Sequence, residues 1–279
     1  MEQLQIPTLT LNTGHAMPLI GLGTWPLNDH EAAAAVSLAI GQGYRLIDTA
    51  ARYGNEAGVG RGIAAAGVAR GELFVTTKLR GRDHGYDETR AALLQSLELL
   101  GLDYVDLFLI HWPLPRVDKY VDSYRAILDL IGAGLVRSAG VSNFKAHHLH
   151  RLIAETGVPP AVDQLQLSPA LARPAVRDYL GTQGITTQAW SPLGTPEGVA
   201  DAAIVAALAA KYGRTSAQII LRWHVQQRIS AIPKSADPQR QRENASVFDF
   251  ALTADESAAL AALDRGEAHA RDADTHEIF

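Results

Sequence analysis

The sequence predicts an α/β fold, a (β/α)8 TIM barrel preceded by a β-hairpin. The chain has 279 residues, enough for one such barrel with a large core. Short apolar runs alternate with helix-like segments from about residue 18 onward, as in βα units. Eight runs can be counted, and several are continuously apolar, which is typical of strands buried on both faces of a parallel sheet.

The first predicted element is a hairpin over Leu9–Met17, which turns through Thr13-Gly14 and could plug the N-terminal mouth of the barrel. The predicted strands then follow as Leu19–Leu22, Tyr44–Asp48, Leu73–Lys78, Val105–His111, Val136–Val141, Ala161–Leu165, Ile185–Ala189 and Ile229–Pro233. No linker, repeat or low-complexity stretch divides the chain, so residues 1–279 are predicted to form one domain.

Helices are predicted between these strands. Asn28 and Glu31 can form a capping-box-like start to the Ala-rich segment 29–40, which Gly41 or Gly43 can end. The next clear helix is Tyr86–Leu100, in which Leu93, Leu97 and Leu100 share one face and which Gly101 follows.

Composition excludes several classes of function. With 25 basic and 30 acidic side chains the net charge is −5, which gives no basic character for binding nucleic acid or anionic membranes. There is no cysteine, so disulfides, thiolate catalysis and Cys-ligated metals are excluded. Met1–Pro7 lacks a signal-peptide pattern, and no apolar run approaches the roughly 20 residues that span a bilayer. A cytoplasmic protein with a small-molecule partner is predicted.

Polar residues close most of the predicted strands. In a (β/α)8 barrel these ends meet at one face, so the residues there are expected to share a single site. They are Asp48, Lys78, His111, Ser142-Asn143, Gln164, Trp190-Ser191 and Lys234-Ser235.

Four residues near these ends suit the reduction of a carbonyl group. Hydride addition leaves charge on the oxygen, which requires a proton donor nearby. Tyr53 would donate the proton, and Lys78 would lower its pKa from about 10 towards neutrality. Asp48 would keep Lys78 charged, and His111 would orient the carbonyl oxygen as a neutral donor.

The same segments carry a family resemblance, which covers nearly the whole chain in order and spacing. Matching motifs are Gly43-Tyr44-Arg45-Leu46-Ile47-Asp48-Thr49-Ala50, Tyr53-Gly54-Asn55-Glu56, Thr76-Thr77-Lys78-Leu79, His111-Trp112-Pro113, Gly140-Val141-Ser142-Asn143-Phe144, Ala189-Trp190-Ser191-Pro192-Leu193-Gly194 and Ile232-Pro233-Lys234-Ser235. The chain resembles the aldo-keto reductases, in particular the bacterial branch that includes the 2,5-diketo-D-gluconate reductases.

The resemblance implies an NADPH-dependent, mostly monomeric reductase of aldehydes or ketones with the same tetrad, Asp48, Tyr53, Lys78 and His111. It further implies nicotinamide contacts from Ser142, Asn143, Gln164 and the ring of Trp190, and a segment along the pyrophosphate with Ser191 and Leu193. The other implied cofactor residues are Thr24, the 2′-phosphate group Lys234, Ser235 and Arg240, and the adenine contacts Glu243 and Asn244. No G-x-G-x-x-G follows a strand, which argues against a Rossmann site.

Three residues are expected at the substrate. Trp25 and Trp112 follow strand ends inside matched motifs and are interpreted as pocket walls. Arg80 stands where the similar reductases carry an aromatic residue, and it could pair with a substrate carboxylate. The alternative is that Arg80 turns outward towards Asp83 or Asp87.

The chain also departs from the family pattern. Asp163 replaces the usual Asn before Gln164, and Ser168 replaces a His. Asp237 stands three residues after Lys234, where its charge would disfavour a 2′-phosphate if it pointed inward.

Other interpretations of single residues stay open. Lys234 and Arg240 could be ordinary surface cations, and Trp223 is assigned to the core. His147 and His150 could share a helix face, but no third metal ligand is evident near them, so no metal site is predicted.

Two rival functions are retained. Lys78 at a barrel mouth could form a Schiff base, as in aldolases. The barrel could also bind a ligand without turnover.

Overall fold

The computed structural model describes residues 4–194, 199 and 202–278, so both ends of the predicted domain lie outside the described part. The N-terminal hairpin is present: β1 (Thr8–Thr10) pairs antiparallel with β2 (Ala16–Pro18). The fully buried Met17 packs in one cluster with Phe74 and Val162, which begin two of the barrel strands. The hairpin therefore closes the N-terminal end of the barrel, as predicted.

Eight parallel strands form the barrel in the order in which they occur in the chain. Parallel bridges from Ile20 to Ala231 and from Gly23 to Lys234 join the first strand to the last and close it. The (β/α)8 fold is confirmed. The strands are β3 (Leu22–Gly23), β4 (Leu46–Asp48), β5 (Phe74–Leu79), β6 (Val105–Ile110), β7 (Val136–Ser142), β8 (Val162–Gln166), β9 (Thr186–Trp190) and β10 (Ser230–Ala231).

The closing seam explains the largest shift between predicted and observed strands. The first strand is predicted at Leu19–Leu22 but is observed at Leu22–Gly23. Residues 19 and 21 instead exchange 2.9 Å backbone hydrogen bonds with Ala231, in an isolated bridge rather than a continuous ladder. Glycine is required at position 23 because a Cβ there would lie 2.7 Å from the carbonyl oxygen of Ile232.

Helices cover the outside of the barrel. The predicted capping box begins α1, with Asn28 Oδ1 accepting from Glu31 N at 2.9 Å and Glu31 Oε2 accepting from Asn28 N at 3.0 Å. Gly43, rather than Gly41, ends α1 in the left-handed conformation. The described helices are α1 (Asp29–Gln42), α2 (Glu56–Ala65), α3 (Tyr86–Leu100), α4 (Tyr120–Gly132), α5 (Ala146–Thr156), α6 (Pro174–Thr182), α7 (Ala203–Tyr212), α8 (Ser216–Gln226), α9 (Pro238–Ala245) and α10 (Ala254–Ala261).

Two further predictions concern the interior and the membrane. Trp223 is buried, as predicted, and its indole N–H donates to the carbonyl oxygen of Ser257 at 3.3 Å. No helix in the described part of the chain is long and apolar enough to cross a bilayer.

Candidate active site

A cavity of about 300 Å³ opens at the carboxyl ends of the barrel strands. Residues from strand ends that are far apart in the chain meet there, as the parallel arrangement requires. The predicted site residues that line it are Thr24, Trp25, Asp48, Tyr53, His111, Trp112, Asn143, Gln164, Trp190, Ser191 and Lys234. The predicted residues outside its lining are Lys78, Arg80, Ser142, Leu193, Ser235, Arg240, Glu243 and Asn244.

Lys78 lies directly behind this lining, at the end of β5, and is fully buried. Its Nζ lies 2.5 Å from Asp48 Oδ1, 2.9 Å from the carbonyl oxygen of Thr49 and 3.3 Å from Tyr53 Oη. Burial alone would lower the pKa of Lys78, but the Asp48 carboxylate reverses this and raises it. The ammonium group is therefore charged, with an acceptor for each of its three protons.

Tyr53 ends a short 3₁₀ turn (Ala51–Tyr53) that follows β4. Its ring centre lies 5.3 Å from that of Trp25 and 5.7 Å from that of His111. The phenol is thus held between an aromatic wall and an imidazole, and its oxygen also contacts the Lys78 ammonium group.

Lys78 acts on the pKa of Tyr53 in the predicted direction, but the net shift is opposite to the predicted one. Burial raises the pKa of the Tyr53 phenol above 10, and the Lys78 ammonium group opposes this shift without reversing it. The phenol therefore keeps its proton at neutral pH, as a proton donor must.

His111 is positioned by the end of β6, where its backbone N–H donates to the carbonyl oxygen of Leu79 at 3.3 Å. Burial and the positive charges of Lys78 and Arg52 hold the pKa of His111 well below its usual 6.5. The imidazole is neutral at physiological pH and can donate one hydrogen bond.

The residues that match nicotinamide contacts form one hydrogen-bonded group. Asn143, at φ 64°, donates through Nδ2 to the carbonyl oxygen of His111 at 3.1 Å and to Ser142 Oγ at 2.9 Å. Its Oδ1 accepts from the Trp190 indole at 2.9 Å, and Ser142 Oγ donates to the carbonyl oxygen of Gln164 at 2.7 Å. These contacts orient the Trp190 ring and join it to His111, which follows β6.

Gln164 links this group to the buried ion pair. Its Nε2 donates to Asp48 Oδ2 and to Gln188 Oε1, both at 2.7 Å. Among the described residues no donor reaches its Oε1, so the cavity lining retains a hydrogen-bond acceptor. An amide N–H₂ group is the complementary donor.

Asp163, the departure next to Gln164, is fully buried on the other face of β8. Its Oδ1 accepts from the backbone N–H of Phe144 at 3.4 Å, and its Oδ2 has no partner in the described part of the chain. Burial raises the pKa of Asp163 well above its usual range, although the positive charge of Arg173 opposes the shift. Asp163 therefore supports the Asn143–Phe144 turn as a neutral carboxylic acid.

Replacing Asp163 by Asn is expected to stabilise the protein, and by more at higher pH. Because the pKa of Asp163 is raised in the folded state, the wild-type carboxyl group destabilises the fold once the pH exceeds its pKa in the unfolded chain. This destabilisation grows until the pH reaches the folded-state pKa. The free energy of unfolding, measured with urea at pH 5 and pH 8, should favour Asp163→Asn by at least about 2 kcal/mol more at pH 8. Asp103→Asn, at an exposed position, is the control. If the difference in free energy of unfolding between Asp163→Asn and the wild type did not change with pH, Asp163 would not be a neutral acid in the folded protein.

The group predicted at the 2′-phosphate lies after β10, and of its three members only Lys234 lines the cavity. Ser235 Oγ, at a buried position, accepts from the backbone N–H of Asp237 at 3.1 Å. Asp237 caps α9 by accepting from the backbone N–H of Arg240 at 2.8 Å. Arg240 has a 73% exposed side chain, and its Nε lies 3.9 Å from the Asp237 carboxylate. Asn244 is buried and Glu243 Oε1 accepts from Gln239, at 2.8 Å.

The position of Arg80 decides between the two orientations predicted for it, towards a substrate carboxylate or towards an acidic neighbour. Its Nε donates to Asp83 Oδ2 at 2.7 Å, and its side chain is absent from the cavity lining. The structure thus takes the outward alternative, because the 3₁₀ turn Gly81–Asp83 brings the carboxylate of Asp83 back towards Arg80.

Six lining residues were not singled out from the sequence as site residues, namely Gly23, Arg52, Pro192, Ile232, Arg271 and Ile278. Arg52 precedes Tyr53 in the matched motif, a position that could have signalled its place. Arg271 and Ile278 belong to the C-terminal segment 264–279, which the sequence predicts to contribute to specificity without indicating which of its residues do so.

The histidine cluster acquires a third group that the sequence did not indicate. Asp274 Oδ1 lies 3.0 Å from Nε2 of both His147 and His148. His148 Nδ1 accepts from the backbone N–H of Lys145 at 3.2 Å, so the proton of this neutral ring lies on Nε2, facing the carboxylate. Lys145 Nζ lies 2.6 Å from Asp274 Oδ2. Asp274 is thus already hydrogen-bonded by His147 and Lys145.

Comparison with known proteins agrees with this geometry. The aldo/keto reductase family model matches residues 19–265. The chain is 49% identical to 2,5-diketo-D-gluconic acid reductase B of Corynebacterium sp. over 98% of both proteins. It is 46% identical to methylglyoxal reductase DkgA of Escherichia coli K12, over 93% of this chain and 94% of that one.

Solved structures give the same result. An aldo/keto reductase from Brucella melitensis superposes with a TM-score of 0.90 at 45% identity, covering 93% of this chain and 100% of that one. A variant of Gox0644 in complex with NADPH superposes with a TM-score of 0.93 at 39% identity, covering 98% of this chain and 99% of that one.

Proposed function

The chain belongs to the aldo/keto reductase family and is an NAD(P)H-dependent oxidoreductase, and from this premise we propose that it reduces aldehydes or ketones with NADPH, using Tyr53 as the general acid. The observation that carries the proposal is the position of the Tyr53 phenol. It lines the cavity with Asn143, Gln164 and Trp190, and its oxygen lies 3.3 Å from the Lys78 ammonium group.

The residues at the mouth fit the cofactor. The Gln164 Oε1 acceptor and the Trp190 ring, which Asn143 orients, would hold the nicotinamide amide and ring, and Lys234 would contact the 2′-phosphate. NADPH, when bound, supplies the hydride.

The protein's own part in the reaction is to bind, orient and protonate. The neutral His111 imidazole donates a hydrogen bond to the carbonyl oxygen, and Tyr53 transfers its proton to that oxygen. The Lys78 ammonium group then stabilises the Tyr53 phenolate, and Asp48 keeps that ammonium group charged. These roles are assigned from contacts and charges at the mouth.

The rival Schiff-base function is disfavoured by the state of Lys78. A lysine nucleophile must be neutral, whereas Asp48 raises the pKa of this one and three acceptors occupy its protons. Reduction of a reactive aldehyde, followed by NADPH absorbance, tests the proposal. Borohydride-dependent trapping of the aldehyde on Lys78, without NADPH oxidation, would support the rival instead.

The charge of the substrate is left open by the relatives, whose names include both an acidic sugar and the neutral methylglyoxal. We propose a small carbonyl compound as the substrate. The monomeric state, the cytoplasmic location and the absence of nucleic-acid binding stay predictions.

NADPH is expected to bind more tightly than NADH, and Lys234→Ala should reduce the difference about tenfold by removing a charge-assisted hydrogen bond to the 2′-phosphate. Dissociation constants from fluorescence titration with both cofactors measure this. Arg240→Ala, measured in the same way, tests the other cation of the predicted 2′-phosphate group, which lies beside Asp237 and outside the cavity lining. Equal wild-type affinities for the two cofactors would show that Asp237 cancels the cations.

A further inference from the structure

The lining of the cavity is unequally charged. Among the residues that the structure describes, three cationic side chains contribute to it, Arg52, Lys234 and Arg271, and one carboxylate, that of Asp48. That carboxylate is already bound to the Lys78 ammonium group at 2.5 Å. The open part of the mouth therefore presents positive charge to an entering molecule.

Arg271 begins a segment, residues 271–278, that contributes Arg271 and Ile278 to the cavity lining; we call it the tail segment. Its Ala273 and Ile278 pack in one apolar cluster with Trp112, and the ring of His276 lies 4.4 Å from the Trp112 ring, centre to centre. Because Trp112 follows His111 directly, the tail segment stands beside the group proposed to orient the carbonyl oxygen.

The acidic residues of the tail segment are paired with groups other than Arg271. Asp272 and Asp274 both bind the ammonium group of Lys145, and Asp274 also contacts the buried His148. These contacts anchor the segment to the start of α5. Glu277 pairs with Arg116 at 3.2 Å. These ion pairs also neutralise the carboxylates that would otherwise pair with the neighbouring guanidinium group.

The Arg271 side chain is positioned by nearby contacts, but among the described residues no carboxylate neutralises its guanidinium group. The backbone N–H of Arg271 donates to Gln166 Oε1 at 3.3 Å, and the guanidinium carbon lies 5.8 Å from the centre of the Trp190 ring. In the part of the chain that the structure describes, it makes no ion pair. Arg80, by contrast, is occupied by Asp83.

We propose that Arg271 binds the carboxylate of an anionic carbonyl substrate and makes the enzyme prefer such substrates over neutral ones of the same size. A guanidinium group at the cavity wall offers the fork of donors that a carboxylate accepts bidentately. The inference rests on the proposed function, since it names the substrate class of the same site.

The test uses two aldehydes with the same ring skeleton, 4-carboxybenzaldehyde, which carries a carboxylate, and methyl 4-formylbenzoate, in which a methyl ester removes the charge. Arg271→Ala should lower kcat/KM for the carboxylate about tenfold, and for the ester less than about twofold. Raising the salt concentration should weaken the wild-type preference, because the contact is exposed to solvent. Arg80→Ala, which removes the same type of side chain outside the cavity, should leave both values nearly unchanged.

Equal losses for both aldehydes, or none, would overturn the assignment of Arg271. A weaker affinity of Arg271→Ala for NADPH, with the aldehyde ratio unchanged, would assign the residue to the cofactor and overturn it as well. Arg271→Gln repeats the comparison with a polar side chain, should truncation perturb the tail segment. Failure of the proposed function is distinguishable, since the wild type would then leave the ester unreduced with NADPH.

Discussion

Replacing Tyr53 by Phe is expected to lower kcat for carbonyl reduction by about 10²–10⁴-fold, the usual contribution of general acid catalysis. The change removes only the hydroxyl group, whereas the contacts of the ring with Trp25 and His111 persist. The proposed cofactor contacts come from other strands, so the dissociation constant for NADPH should change by less than about threefold. Single-turnover reduction and a fluorescence titration measure the two quantities.

Tyr86→Phe is the matched control, because it removes the same hydroxyl group from an exposed residue on α3. It should leave kcat unchanged. A loss below about tenfold in Tyr53→Phe would remove Tyr53 from the role of proton donor.

Local sequence patterns predicted the features that depend on neighbouring residues. The capping box of Asn28 and Glu31 needs only two side chains three positions apart, and it is present as predicted. The position of polar residues at strand ends likewise follows from strand order, because parallel strands deliver their carboxyl ends to one face. Asp48 and Gln164, separated by 116 positions, meet at 2.7 Å for this reason.

What the sequence could not predict depends on side-chain direction or on the balance of opposing energies. The sequence alone allows Arg80 to face the substrate or an acidic neighbour. The 3₁₀ turn that brings the Asp83 carboxylate back towards Arg80 decides between them. The sign of the pKa shift of Tyr53 depends on the balance between burial, which raises the pKa, and the charge of Lys78, which lowers it. Arg271 reaches the mouth through contacts of the tail segment with α5, which no local pattern encodes.

The buried ion pair gives the second large expected effect. Lys78→Met should severely lower the rate of carbonyl reduction, because the Tyr53 phenolate formed on proton transfer loses its cation. It should also lower the free energy of unfolding by about 3–5 kcal/mol, because it leaves the Asp48 carboxylate buried without its counter-ion. Chemical denaturation and steady-state kinetics on the same samples measure both losses.

A second substitution separates the two losses. Adding Asp48→Asn to Lys78→Met removes the unpaired charge while an amide can still contact Gln164, so most of the lost stability should return. Activity should not return, since the cation beside Tyr53 is still missing. The stability gap between the single and double variants should also narrow as the pH falls towards about 4. Burial raises the pKa of an Asp48 that lacks its cation, so the destabilisation is present above the unfolded value and vanishes below it. If stability and activity recovered together in the double variant, Lys78 would act on the reaction only by holding the fold.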